Sequence, residues 1–411
     1  MPTRSRVSLV SLSVFASLLV CANITFAQHE PATGGGTIGG GSTARPTSKP
    51  ANKPANKPTS SSTTTPTTRP VPRRPTTTTS TTTKRPTTTT TNTGTAETYY
   101  QQGEALYNQH KYREALDLYL KAVEINPSHA NSLYRIGWIY NDLEQFEDAV
   151  GPLQRVVSMR PNDSAAYFEL GYANKKLEHY DEALTAFQQA VRIKPDYAGA
   201  HYQIGWIYND QKNYNGALNS LNLALRYKAD YAEARNELGY AYRNLGRYPE
   251  AIAEYQEAIR LNPDMGLAHL GLGDVYYYNT KQYAEAAKAY KRGLELRPNN
   301  ATAYYNLGWC YNDLERYSEA IEALKSAIRV QPDYPEAHNE FGYALHQLRR
   351  YAEAVQEYQT AIRQKPNYPS AHYNLGMSFI ALNNRTAALE QYRILQRIDN
   401  ARATKLFNQI K

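Results

Sequence analysis

A large apolar residue followed directly by glycine recurs along most of the chain at a nearly fixed interval. Ile136 before Gly137, Leu170 before Gly171, Ile204 before Gly205, Leu238 before Gly239 and Leu272 before Gly273 lie 34 residues apart. Leu307 and Gly308 follow after 35, and Phe341 with Gly342 and Leu375 with Gly376 return to 34. Gly103, preceded by Gln102, opens the series and makes nine repeats. Twelve positions after the glycines stand alanines, from Ala115 to Ala388, with a shift of one to Ala286 in the sixth repeat. Glycine inside a helix is unfavourable by roughly 1 kcal/mol relative to alanine, so nine at one phase imply helices approaching closely, small residue against small.

Prolines mark the boundaries. Pro127, Pro161, Pro195, Pro263, Pro298, Pro332 and Pro366 follow their glycines by 24 or 25 residues. Each precedes a residue suited to cap a helix: Ser128, Asn162, Asp196, Asp264, Asn299, Asp333 or Asn367. The unit predicted is helix, short turn, helix and Pro-cap turn. Such units bury their apolar faces by stacking on neighbours, and stacks of this kind bind other molecules far more than they catalyse. Three irregularities carry their own expectations. Ala229 replaces the proline of the fourth repeat, the extra residue near Tyr278, Asn279 and Thr280 falls in the inter-helix turn, and Pro152 kinks its helix or delays the helix start.

On these residues the stretch 97–398 resembles tetratricopeptide repeats. The apolar residue, glycine and aromatic appear as Ile136, Gly137 and Tyr140, as Ile204, Gly205 and Tyr208, and as Leu307, Gly308 and Tyr311. The later alanine, aromatic and proline appear as Ala183, Phe187 and Pro195, or Ala251, Tyr255 and Pro263. The resemblance implies an all-α, right-handed superhelical solenoid of antiparallel helix pairs, whose first helices line a concave groove that holds a peptide or protein partner. By that geometry the groove wall carries Tyr134, Trp138, Asn141, Tyr172, Tyr202, Trp206, Asn209, Asn236, Tyr240, Trp309, Asn312, Asn339 and Tyr343. Glu237 and Glu340 add an acidic lining. Rings supply contact area at small entropy cost and amides bond a peptide backbone, so an extended basic or Pro-rich segment fits. The competing reading is that the rings pack helix on helix, and that the recurrence of Gly-Trp text, with repeats four to six and seven to nine offset by 103, records block duplication. A clamp for a terminal carboxylate is disfavoured, because the positions that would hold its bases carry Tyr100, Glu104, Arg135, Ala165 and Glu169.

The N-terminal quarter has different chemistry. Residues 1–27 read as a secretory signal, with Arg4 and Arg6 before the apolar run Val7 to Val20 and cleavage expected after Ala27. A retained signal anchor is the second reading. Cys21 follows Val20, which stands where a lipoprotein signal would carry a small residue. Residues 28–96 form a Thr/Pro/Ser-rich basic linker whose composition predicts disorder, and 399–411 a capping segment.

Charge divides at the same border. The net charge is +8, yet residues 1–96 hold 11 Lys and Arg against the single acid Glu30, leaving 35 bases and 37 acids beyond them. The repeats therefore lack the basic surplus of a nucleic-acid binder, whereas the linker suits anionic envelope polymers. These features predict an exported protein, periplasmic, extracellular or membrane-tethered.

Catalysis finds no foothold in the sequence. His201, His269, His338 and His372 share one phase, four residues before their glycines, which is a structural position. No zinc-spaced cluster, phosphate loop or nucleophile elbow is present, so neither cofactor nor metal is expected. Beyond Cys21 the one cysteine is Cys310, read as a small buried hydrophobe. The expected function is a non-enzymatic interaction scaffold. The alternatives are a self-associating envelope spacer and an accessory subunit that delivers substrates to a separate enzyme.

Overall fold

The computed structural model describes residues 94–411; the signal, Cys21 and the linker lie outside the described residues. The described chain falls into two compact units that meet between Met159 and Arg160. Among the described residues every regular element is helical.

The first unit contains two helix pairs, α1 (Ala96–Tyr107) with α2 (Tyr112–Ile125) and α3 (Ala130–Asp142) with α4 (Phe146–Met159). The second begins with α5 (Ser164–Lys176), α6 (Tyr180–Ile193), α7 (Ala198–Asp210), α8 (Tyr214–Tyr227), α9 (Ala232–Asn244) and α10 (Tyr248–Leu261). It continues through α11 (Gly266–Asp274), a π turn (Val275–Asn279), α12 (Tyr283–Leu296), α13 (Ala301–Asp313) and α14 (Tyr317–Val330). The last elements are α15 (Pro335–Gln347), α16 (Tyr351–Gln364), α17 (Pro369–Ala381), α18 (Arg385–Ile398) and α19 (Asn400–Ile410).

The repeated glycines close each pair, but not against alanine. A Cβ on Gly205 would stand 2.6 Å from Leu221, one on Gly171 2.8 Å from Phe187, and one on Gly342 2.7 Å from Tyr358. The complement is thus a bulky side chain from the second helix of the same pair, large against small. Ala183, Ala217 and Ala354 are fully buried beside these contacts. In the ninth repeat the complement is Leu406 of α19, 2.6 Å from a Cβ on Gly376.

Caps lie one residue later than the sequence suggests. His129 accepts from the backbone N–H of Ser132, Asp163 from Ala165 and Ala166, and Asn300 from Ala303. Tyr197, Met265, Tyr334 and Tyr368 occupy the same place without a side-chain cap bond. The residue after proline is still in the turn there.

The turn inside each pair has one residue in the left-handed region: His110, Glu144, Glu178, Lys212, Gly246, Lys281, Glu315, Arg349 and Asn383. The next residue donates its N–H back to the helix, as Asn213 does to the Tyr208 carbonyl at 2.8 Å and Arg247 to Tyr242 at 2.9 Å. Only one of the nine is glycine, so the composition of these turns does not announce the conformation.

The three irregularities resolve differently from expectation or without effect. The extra residue of the sixth repeat is absorbed in the helix, where α11 has nine α-helical residues followed by a five-residue π turn, against 13 residues in α7. A π turn accommodates one inserted residue without lengthening the loop. Pro152 does not delay α4, which starts at Phe146 in phase with Tyr180 of α6. Without its proline, α8 still ends as its sisters do, through the Lys228 N–H bonded to the Ala224 carbonyl at 2.8 Å.

Gly205→Ala should destabilise the repeat stack by about 1–3 kcal/mol through overpacking, read as a lowered thermal midpoint by circular dichroism. In the turns the sign reverses with the residue present. Gly246→Ala, at φ 75, should destabilise by roughly 1 kcal/mol, and Glu315→Gly, at φ 56, should be neutral or stabilising.

Candidate functional site

In each unit the candidate wall is a stripe on the first helices, set by the residue after each glycine and those near it. Its rings are held from behind. The first residue of a second helix packs on the residue after the next glycine, as Tyr112 on Trp138 at 5.6 Å, Tyr180 on Trp206 at 6.1 Å, Tyr214 on Tyr240 at 6.2 Å and Tyr317 on Tyr343 at 6.3 Å. These aromatics therefore join adjacent repeats and offer only their remaining faces outward.

In the first unit Tyr134 and Trp138 are half-buried and Asn141 is buried. Trp138 also stands edge-on to Tyr107 at 5.2 Å. Arg135 lies over the Tyr107 ring at 4.2 Å and pairs with Glu104 at 2.7 Å.

In the second unit the stripe divides. On α5, α7 and α9, Tyr172, Tyr202, Trp206, Asn236 and Tyr240 are half-buried. On α13, α15 and α17 the same phase is nearly closed, with Tyr343 half-buried and Tyr305, Asn306, Trp309, Asn339, Asn374 and Met377 buried. Trp309 is only 3% exposed, flanked by Tyr305 at 5.5 Å and Tyr277 at 5.6 Å. It is a packing residue in this structure, which corrects its assignment to an open wall.

The acidic lining is also corrected. Glu237 and Glu340 are 5% and 3% exposed and tie first helices together. Asn209 Nδ2 donates to the Glu237 carbonyl at 2.9 Å and to its Oε2 at 3.0 Å. Asn312 Nδ2 does the same to Glu340, both at 3.3 Å. Asn339 continues the row, donating to Glu340 Oε1 at 3.0 Å and accepting from Asn374 Nδ2 at 3.1 Å. These amides are structural bonds between repeats, although Asn209 Oδ1 and Asn312 Oδ1 remain buried acceptors with no bonded donor among the described residues. Burial pushes the Glu237 carboxyl above its ordinary range, against the opposing pull of Asn209 and Lys175.

Lys175 and Asp274, joined to this wall, were not singled out from the sequence. Lys175 Nζ lies 3.8 Å from the Trp206 ring centroid and donates to Gln203 Oε1 at 2.6 Å. Burial lowers its pKa to about 8. Arg243, on the stripe, is held by Asp274 at 2.6 Å, and Tyr290 donates to the other oxygen of Asp274 at 2.7 Å. A small recess of about 20 Å³, room for one water, lies among Asn236, Glu237, Tyr240, Arg243 and Tyr255. A Lys four places after a glycine, where the tryptophan-bearing repeats carry Asn141, Asn209 and Asn312, was the available signal.

The histidine phase has a physical explanation. The Nε2–H of His201, His269 and His372 donates to the carbonyl of Pro195, Pro263 and Pro366 at 2.8, 3.1 and 3.0 Å. These bonds pin three first helices to the turn before them, whereas His338 Nδ1 lies 2.7 Å from Glu357 Oε2.

Comparison with known proteins agrees with this architecture. Sequence profiles described as tetratricopeptide repeat match residues 94–162 and, in overlapping copies, 202–403, and one described as TPR repeat matches 176–208. No curated protein matches the chain. Among solved structures, MamA is 24% identical over 41% of this chain and 92% of its own, with a TM-score of 0.39. YrrB, described as a TPR protein with an unusual peptide-binding site, is 25% identical over 45% of this chain and 95% of its own, at 0.39. The Cut9-Hcn1 assembly of the APC/C is 17% identical over 69% of this chain and 55% of the matched chain, at 0.45. With its glycine-closed helix pairs and its profile matches from 94 to 403, the chain belongs to the tetratricopeptide repeat family.

Proposed function

We propose that this protein holds an extended segment of a protein partner against α5, α7 and α9, as a non-catalytic scaffold kept outside the cytoplasm by its N-terminal sequence. The observation that carries the reading is the local opening of the stripe. Tyr172, Tyr202, Trp206 and Tyr240 keep accessible faces on three successive first helices, beside Gln203, Asn236 and Arg243, while the equivalent residues on α13, α15 and α17 are mostly buried. Rings fixed from behind by Tyr180 and Tyr214 are preorganised, so contact with a partner orders little. Glu169, Asp210 and Glu233 at the margin of the accessible stretch suit a basic or Pro-rich segment. The basic linker, 28–96, fits a tether that touches anionic envelope polymers.

Crosslinking in the native host identifies the partner, and calorimetric titration of purified variants then separates binding from folding. Trp206→Ala and Tyr240→Ala should each weaken partner binding about tenfold or more, as central aromatic anchors do, with helicity retained. Trp309→Ala should instead lose about 3–5 kcal/mol of stability through a cavity, lowering the thermal midpoint. Wild-type affinity in both groove variants would contradict the reading. For export, N-terminal sequencing of the protein from its host should begin at Gln28; a chain that retains Met1 and stays in the cytoplasmic fraction would oppose it.

A further inference from the structure

We propose that the Trp206 face is a seat for an arginine side chain of the bound partner, and that Lys175 is a resident placeholder that swings out when the arginine enters. This deepens the groove reading and rests on it. The Lys175 ammonium has three protons, yet its one hydrogen bond among the described residues goes to the neutral Gln203 Oε1, at 2.6 Å. The rest of its contact is the Trp206 ring at 3.8 Å, with no carboxylate at ion-pair distance. Burial is the larger influence and disfavours the strongly hydrated ammonium, while the charges of Glu237 and Asp210 favour a cation there and that of Lys176 opposes it. The seat suits a cation, and the present occupant is poorly served.

A guanidinium fits better for stated reasons. It is more weakly hydrated than an ammonium, stacks flat on an indole, and directs several N–H groups outward from its edge, toward the Gln203 oxygen and the acids.

The duplicated copies of this site support the assignment. Offset by 103, Lys175, Gln203, Trp206 and Glu237 become Tyr278, Asn306, Trp309 and Glu340. There the neutral Tyr278 hydroxyl donates to Asn306 Oδ1 at 2.7 Å, and the tryptophan is shut in. Of the three indoles Trp206 is the one faced by a lysine; Trp138, also half-buried, has Tyr107 in that place at 5.2 Å. Offset by 68 in the other direction, the positions of Lys175, Gln203 and Trp206 are Tyr107, Arg135 and Trp138, and the chain's own guanidinium there lies over Tyr107, the ring at the lysine position, 4.2 Å from its centroid.

The test uses the full chain and a Gly/Ser peptide with one central arginine, compared with the same peptide carrying citrulline, titrated by intrinsic tryptophan fluorescence and calorimetry. Lys175→Met should bind the arginine peptide about tenfold more tightly than wild type, a change of the size of a desolvated cation–π contact, and Lys175→Arg should bind it less tightly than wild type. The citrulline peptide should not distinguish the three proteins. Circular dichroism checks folding, and Lys175→Gln carries the comparison if Lys175→Met does not fold. Equal affinities across the variants, or no binding to Lys175→Met at millimolar peptide, overturn the seat. Loss of binding in Lys175→Met also overturns it, since Lys175 itself would then be the contact. A partner that is released by Tyr240→Ala but indifferent to Lys175 variants leaves the groove reading standing and removes the seat; indifference to both removes the groove reading as well.

Discussion

Everything in this molecule depends on the contact between each repeated glycine and the bulky side chain of its partner helix. With no Cβ at Gly205, Leu221 reaches the first helix directly; with no Cβ at Gly239, Tyr255 does so. A side chain there would push the pair apart and disturb the bonds that depend on its spacing, including those from Asn209 to Glu237. The complement varies in step with its surroundings. Where tryptophan follows the glycine, as at Trp138, Trp206 and Trp309, the complement is leucine: Leu153, Leu221 or Leu324. Where Glu104, Tyr172, Tyr240, Asp274 or Tyr343 follows, it is aromatic: Tyr119, Phe187, Tyr255, Tyr290 or Tyr358.

The same stripe of first-helix residues serves two purposes. On α13, α15 and α17 it is consumed by contact between repeats, with amides satisfying carboxylates and Trp309 enclosed by tyrosines. On α5, α7 and α9 some of it remains accessible. Identical text such as Gly-Trp therefore carries different physical meaning in different copies, according to what the neighbouring repeats place beside it. Asp274 illustrates the point: its carboxylate draws in Arg243 from one side and the Tyr290 hydroxyl from the other. Arg243 is thereby anchored and presented in one orientation.

Period, helix number, pairing and the structural role of the histidines were legible in the sequence, because they follow from recurring chemistry within one repeat. Details set between repeats were not. Burial of Trp309, Glu237 and Glu340 depends on residues 28 or more positions away, which a helical phase cannot reveal. The left-handed turn residues escaped notice because Glu178, Lys212 and Arg349 hold a conformation usually marked by glycine. Cap positions were misplaced by one residue, since Asp196 and Asp333 look like caps while Tyr197 and Tyr334 occupy the site. The inserted residue was assigned to a loop, where insertions are usually absorbed, and instead widened a helical turn.

Because each glycine and its complement lie within a single hairpin in the first eight repeats, a hairpin brings its own fit wherever it is copied. An internal repeat can be duplicated in evolution with its own glycine contact intact, and the block offset of 103 is the kind of trace such events leave. The ninth hairpin has no such independence. Gly376 is filled by Leu406 from α19, while Tyr392, at the usual place of the complement, stacks instead on Phe407 at 4.9 Å. The fit of this hairpin therefore travels only with α17, α18 and α19 together.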